Sequence, residues 1–342
     1  MRIGVMTGGG DCPGLNAVIR AVTKTAKVTY GDEIVGFLEG WQGVIDRTFI
    51  DLTNHDTSGL IGMGGTILGT SRSNPGLFDG GLAKAKESLD EMGLHALVVI
   101  GGDGTLRAAH ELQHLGGNVI GVPKTIDNDI AGTEYTFGFN TAVQIATDLI
   151  DRLRTTAESH NRVMVVEVMG RHVGHVATHA GIAGGAEVIL VPEQPFDIDE
   201  VCERLRRRHS HGKFSSIVVV AEGAMPREGT FDVAEPEVDM WGNPKLGGIG
   251  DMVGRAIEQR TGFESRVTVL GHVQRGGTPT AYDRVLCTRY GVAAVEAIHD
   301  RDFGKMVSLS ADSIIRVPLD DVVDHEKPVS QRLYDVASKF FA

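Results

Sequence analysis

The sequence predicts an α/β protein of two domains, each a mostly parallel sheet flanked by helices. Three observations carry this. Short apolar runs alternate with amphipathic stretches, the rhythm of βαβ units. Glycine-rich turns, served by 45 glycines, follow several of those runs, at the carboxyl ends of strands where parallel sheets place their ligands. At 342 residues the chain also exceeds the length one core ordinarily serves.

Composition narrows the function. Thirty-three basic against 45 acidic residues give a net charge of -12, which disfavours nonspecific binding to nucleic acid or to an anionic membrane. Apolar runs such as Ile217–Ala221 are far too short to span a bilayer. Met1-Arg-Ile-Gly runs directly into a strand-like stretch, so a cytoplasmic location is expected. Cys12, Cys202 and Cys287 are widely spaced and odd in number, pointing to neither a disulfide framework nor a zinc site.

The elements follow in order. Ile3–Met6 reads as a strand, Ala17–Val28 as a helix and Ile34–Phe37 as a strand. The turn Gly8-Gly-Gly-Asp-Cys-Pro-Gly-Leu-Asn16 offers backbone N–H groups at a helix start and fits a phosphate. It matches neither the dinucleotide nor the Walker fingerprint. A second glycine-rich segment, Ile61–Ser73, ends in Arg72 between serines, either a phosphate contact or a solvated surface residue.

Ala96–Ile100 is a purely apolar strand that runs into Gly101-Gly-Asp-Gly-Thr105. Its glycines admit a phosphate chain, and Asp103 suits either magnesium or a helix cap. Leu106–Leu115 is the following helix. The next strand end, Gly121-Val-Pro-Lys-Thr-Ile-Asp-Asn-Asp129, reads as an active-site loop. With extended backbone, Asp127 and Asp129 project alternately, one as base and one for a metal. An Asx-turn of structural acids is the plainer reading, but it leaves Pro123, Lys124 and Thr125 unexplained.

Thr141–Ser159 is a long amphipathic helix, and strand Val163–Val168 ends in Met169-Gly-Arg-His172. His172, His175 and His179 share a helical face without a carboxylate and read as structural. Val201–Lys213 is a basic helix and turn, either solvated or an anionic effector site. Strand Ser216–Ala221 delivers Glu222, 231–243 reads as an insertion loop, and Ile249–Gln259 as a helix. Arg266–Gly277 reads as a strand with an arginine at its start and His272 and Arg275 at its end, a cation set for a sugar phosphate. Helix Asp283–Asp300, strands near Val307 and Ile314–Val317, and an amphipathic tail complete the chain.

Taken together, Gly8–Asn16, Gly69–Ser73, Gly101–Gly104, Pro123–Asp129, Met169–Arg171, Ala221–Gly223 and Gly271–Gly277 closely resemble the 6-phosphofructokinases across essentially the whole chain. The resemblance implies phosphoryl transfer from Mg2+-ATP to the 1-hydroxyl of fructose 6-phosphate, with Asp127 as base and Thr125 and Arg171 steadying the transferring group. It implies that Gly10, Arg72, Ser73, Gly102, Asp103, Gly104 and Thr105 bind the nucleotide, with Asp103 on magnesium. Met169, Gly170, Glu222, His272 and Arg275 would hold the sugar phosphate, with Arg162 and Arg266 reaching in from a neighbouring subunit of a homotetramer. Residues 1–138 plus about 273–324 would form the ATP-binding domain, and 139–272 plus about 325–342 the sugar-phosphate domain.

Thr105 stands where the family often has serine. Lys124 matches pyrophosphate-using relatives, whereas Gly104 departs from the aspartate those relatives carry. The expectation is that ATP is the donor: glycine at 104 leaves open the space its α-phosphate and ribose cross, while Lys124 is a flexible cation that attracts pyrophosphate without repelling a nucleotide. The effector-site pattern of allosteric bacterial members is only partly matched, by Arg154, Glu187 and Lys213.

Overall fold

A computed structural model describes residues 1–71, 73–230 and 247–341; Arg72 and the expected insertion loop at 231–243 lie outside the described residues. Two compact units are formed, Met1–Thr141 with Arg275–Glu326, and Ala142–Gln274 with Lys327–Ala342. Among the described residues, no helix is long and apolar enough to cross a membrane.

The first unit is built on β1 (Arg2–Thr7), β2 (Glu33–Phe37), β3 (Phe49–Leu52), β4 (Ala96–Gly101), β5 (Val119–Thr125), β6 (Phe137–Gly138), β11 (Lys305–Ser310) and β12 (Ser313–Pro318). The sheet order is β12-β11-β5-β4-β1-β2-β3, with β6 beside β5. Only its edges, β3 and β12, run antiparallel to their neighbours. Helices α1 (Leu15–Thr25), α2 (Trp41–Asp46), α3 (Gly81–Glu91), α4 (Asp103–His114) and α9 (Ala281–His299) accompany this sheet.

Strand β4 shows no polar alternation because all six of its residues are buried, as parallel strands covered on both faces require. On one face Leu97 and Val99 join Leu106, Ala109 and Leu112 of α4, together with Phe37, Trp41 and Met306. Burying each such leucine contributes about 2 kcal/mol, which holds the amino end of α4 against the strand ends.

Among the described residues, the second unit has four parallel strands in the order β10-β7-β9-β8: β7 (Val163–Val168), β8 (Val188–Leu190), β9 (Ser216–Ala221) and β10 (Ser265–Val269). Around them lie α6 (His175–Ala183), α7 (Ile198–Ser210), α8 (Ile249–Thr261) and α10 (Gln331–Ser338). Helix α5 (Phe139–His160) carries the chain from the first unit into the second.

The basic run is mostly a helix end. Asp197 caps α7 by accepting from Asp199 N–H, acids occupy the first turn, and Arg207, Arg208 and His209 occupy the last, as the helix dipole favours. Glu167, a buried carboxylate in β7, accepts from Gly248 N–H at 3.2 Å and Gly250 N–H at 2.8 Å at the start of α8. Burial pushes its pKa up, partly opposed by those two bonds.

Two local expectations are corrected. Residues 266–277 are not one strand, because Gly271 adopts φ 51° and the chain closes into a 3₁₀ turn, Gly271–Arg275, that carries His272 and Arg275. His172 precedes α6, so it shares no helical face with His175 and His179.

Candidate active site

In the first unit a cavity of about 310 Å³ opens at the carboxyl ends of β4 and β5 and the amino end of α4. Its lining brings together Gly10, Ser73, Gly102, Asp103, Gly104, Thr105, Lys124, Thr125 and Arg275, nine of the candidate residues. The amino end of a helix with unsatisfied N–H groups favours an anion there.

Gly102 is the N-cap position of α4 and no side chain caps the helix; Asp103 is its first residue. The cap alternative for Asp103 is thereby set aside. Its carboxylate, half exposed, lies 3.3 Å from the Arg107 guanidinium. An exposed carboxylate oxygen beside a phosphate-sized cavity suits Mg2+, which takes one or two carboxylates and fills its remaining positions with phosphate oxygens and water. Asp103 is the residue that would hold it.

Gly10 has a steric reason to be glycine: a Cβ there would stand 2.8 Å from Arg275 Nη1. That guanidinium donates to the Asp11 carbonyl at 3.3 Å, fixing it beside the first glycine-rich turn. At Gly104 the reverse holds, since an added Cβ would meet nothing nearer than Asn74 Nδ2 at 3.9 Å. The space beside Gly104 is open. Thr105 is buried, and Cβ atoms at Gly8 and Gly101 would collide with it at 2.8 and 2.3 Å, so these glycines make room for its side chain.

Lys124 is not the flexible cation expected. It is 3% exposed, and Nζ donates to the Gly10 carbonyl at 2.5 Å. Burial, joined by the nearby Arg275 charge, pulls its pKa down, against the opposing pull of Cys12, Asp11 and Asp129. Burial also pushes the Cys12 thiol up to about 12, against the lowering pull of Lys124.

Beyond β5 the backbone is not extended. Asn128 takes φ 55°, a conformation asparagine tolerates, so Asp127 and Asp129 do not alternate as strand neighbours would. Asn128 Oδ1 accepts from Thr136 N–H at 3.0 Å and Nδ2 donates to the Glu134 carbonyl at 3.3 Å, while Thr125 Oγ1 accepts from Asp127 N–H at 3.0 Å. The loop therefore holds half-buried Asp127 by local bonds.

In the second unit, Met169–Arg171 and Glu222 follow β7 and β9 side by side: Glu222 N–H donates to the Val168 carbonyl at 2.9 Å and Gly223 N–H to the Gly170 carbonyl at 3.1 Å. A Cβ at Gly223 would fall 1.9 Å from the Arg171 carbonyl oxygen, so only glycine permits this approach. Arg162 and Arg266 stand at the opposite, amino ends of β7 and β10, both paired with Glu264. Their distance from Met169 is the length of a strand. His272 is exposed on its 3₁₀ turn.

Sequence reading missed Asn74, Leu77 and Gln274. Asn74 Oδ1 accepts from Gly76 N–H and Nδ2 donates to the Gly104 carbonyl at 3.3 Å, and the Asn74-Pro75-Gly76 turn was its available sign. Leu77 is an exposed apolar residue on the cavity. Gln274, fully buried, accepts from Met169 N–H at 3.3 Å and donates to the Gly271 carbonyl at 3.0 Å. Arg154 and Glu187 pair at 3.4 Å with Arg208 also on Glu187, and Lys213 lines a cavity with that same Arg208 and with Arg207, His211 and Phe341.

Comparison with known proteins agrees with this architecture. A pyrophosphate–fructose 6-phosphate 1-phosphotransferase of Amycolatopsis methanolica is 54% identical, and an ATP-dependent 6-phosphofructokinase of Corynebacterium efficiens 51% identical; each match covers 100% of this chain and at least 99% of the relative. The solved phosphofructokinase of Saccharomyces cerevisiae superposes with TM-score 0.81 at 35% identity, covering 93% of this chain and 44% of that one. The phosphofructokinase family model matches residues 2–298, and the chain belongs to that family.

Proposed function

We propose that this protein is an ATP-dependent 6-phosphofructokinase, moving the γ-phosphoryl group of ATP onto the 1-hydroxyl of fructose 6-phosphate and releasing ADP and fructose 1,6-bisphosphate. The observation that carries the donor assignment is the open space beside Gly104 in a cavity lined by backbone amides, hydroxyls and an arginine. A nucleotide's α-phosphate and ribose need that room, and pyrophosphate does not.

Asp127 takes the proton of the sugar 1-hydroxyl as the O1–Pγ bond forms and the bond from Pγ to the β-phosphate oxygen breaks. Thr125 and Arg171 position the moving group. Gly10, Arg72, Ser73 and Gly102–Thr105 are assigned to ATP, with Leu77 as an apolar neighbour. Mg2+ on Asp103 would supply charge neutralisation for the phosphate oxygens. Met169, Gly170, Glu222, His272 and Arg275 are assigned to fructose 6-phosphate, and Gln274 positions Met169.

Arg162 and Arg266 sit a strand's length from Met169 and Glu222 within one unit, too far to share one small sugar. This supports their serving a neighbouring subunit, and hence a homotetramer. Cys12, Cys202 and Cys287, all unpaired by disulfides, suit a reducing cytoplasm.

The test is product analysis with ATP, Mg2+ and fructose 6-phosphate: ADP and fructose 1,6-bisphosphate are expected in equal amounts. In Asp127→Ser, kcat should fall by about 10²- to 10⁴-fold while half-saturation by the sugar changes little, because a base acts in the transition state. Nucleotide binding without either product would overturn the reading.

A further inference from the structure

We propose that the first unit carries a surface site for one divalent transition-metal ion of the zinc class, formed by His110 and His114 of α4 and by Asp320 of the 3₁₀ turn Leu319–Asp321. None of the three takes part in the phosphoryl-transfer site. His110 Nε2 lies 2.7 Å from Asp320 Oδ1, His114 Nε2 lies 3.0 Å from His110 Nε2, and His114 Nε2 lies 3.5 Å from the same carboxylate oxygen.

Those separations have the size of a chelate. Tetrahedral zinc with bonds of about 2.1 Å holds its ligands about 3.4 Å apart, so movements of less than about 1 Å by exposed side chains admit the ion. The spacing on the helix is equally suited, because residues i and i+4 lie one above the other. Two imidazole nitrogens and a carboxylate select zinc, nickel, copper or cobalt over magnesium and calcium, which prefer all-oxygen shells.

Hydrogen bonding alone accounts poorly for the cluster. Each neutral imidazole nitrogen either donates one proton or presents one lone pair, so a single His110 N–H cannot serve both Asp320 and His114 in good geometry. A cation satisfies all three lone pairs at once. His114 and Asp320 are both exposed, leaving a path of entry and a fourth position for water.

The consequence reaches along α4. Asp103, Arg107, His110 and His114 form one stripe of the helix, and Arg107 bridges Asp103 to Asp324, just beyond the turn that holds Asp320. A bound ion would clamp α4 to the 319–324 segment at the end remote from the nucleotide cavity. Because Leu319 is fully buried and Val322 nearly so, that segment is already anchored and needs little ordering.

The test uses the full, untagged protein stripped with a chelator and titrated with Co2+ as a visible reporter, then with Zn2+ in competition. One saturable equivalent per chain is expected, with a tetrahedral or five-coordinate absorption band, displaced by Zn2+ and not by millimolar Mg2+. His114→Gln and Asp320→Asn should each weaken binding at least tenfold and abolish the rise in melting temperature given by Zn2+, with ATP half-saturation unchanged without metal. Unsaturable binding, or the same affinity in both variants, would overturn the proposal. Both variants replace exposed groups, so loss of folding is not an expected confounder, and circular dichroism checks it.

Discussion

Arg275 is placed by a glycine. Its guanidinium fills the space a Gly10 side chain would occupy and donates to the Asp11 carbonyl, so its position is set by backbone and not by a surface ion pair. Charge-assisted bonds to a phosphate are worth roughly 1.5–3 kcal/mol. Arg275→Ala is therefore expected to raise half-saturation by fructose 6-phosphate by about tenfold or more, with a smaller change in kcat. Steady-state kinetics check this, and an equal loss of kcat at unchanged half-saturation would contradict the assignment. Gly10→Ala should act in the same direction more weakly, because it pushes the flexible end of Arg275 aside and deletes no charge.

At the scale of elements, α6 brings a pH dependence into the second unit. His175 is buried, and its Nε2–H donates to the Lys327 carbonyl at 2.9 Å. Burial pulls its pKa down from 6.5 to about 4, and the bond only partly opposes this. The unfolded chain then binds the proton first as pH falls. The stability contributed by the neutral ring is complete above pH 6.5, erodes below it, and is lost by about pH 4. The loss should be on the order of 3 kcal/mol. Urea unfolding of wild type and His175→Gln between pH 7.5 and 4.5 checks it, the glutamine keeping a donor without a titrating group. Equal pH slopes in the two proteins would refute it.

The same scale shows what was legible in the sequence. Strands β4 and β9 could be read because burial on both faces leaves nearly continuous apolar runs, and the glycine-rich turn after β4 marked where the first unit's cavity lies. Helices α2 and α3 escaped because neither presents a long apolar stripe: α2 has six residues, and α3 begins at Gly81 and mixes charge along its length. Asn128 was read as extended because a left-handed residue leaves no trace in periodicity. Asn74 and Gln274 act on Gly104 and Met169, residues 30 and 105 positions away, and spacing within one element carries no information on such pairings.

For the whole molecule the central question is the donor, since relatives of 51% and 54% identity bear ATP and pyrophosphate in their names. Overall similarity does not separate them, and the donor assignment proposed above rests on two positions in one cavity. Lys124 is already committed to the Gly10 carbonyl and is desolvated, so it braces the first glycine-rich turn and is a weaker attractant for pyrophosphate than an unengaged ammonium would be. Gly104 leaves its surroundings open, and a carboxylate there would add bulk and like charge in the path of a nucleotide. The deciding measurement is the steady-state rate of fructose 1,6-bisphosphate formation with saturating ATP and with saturating pyrophosphate, in wild type and in Gly104→Asp. Wild type should run much faster on ATP, and Gly104→Asp should lose ATP use by at least about tenfold, or 1.4 kcal/mol, while keeping or gaining pyrophosphate use. A wild-type protein that runs much faster on pyrophosphate than on ATP would contradict the account.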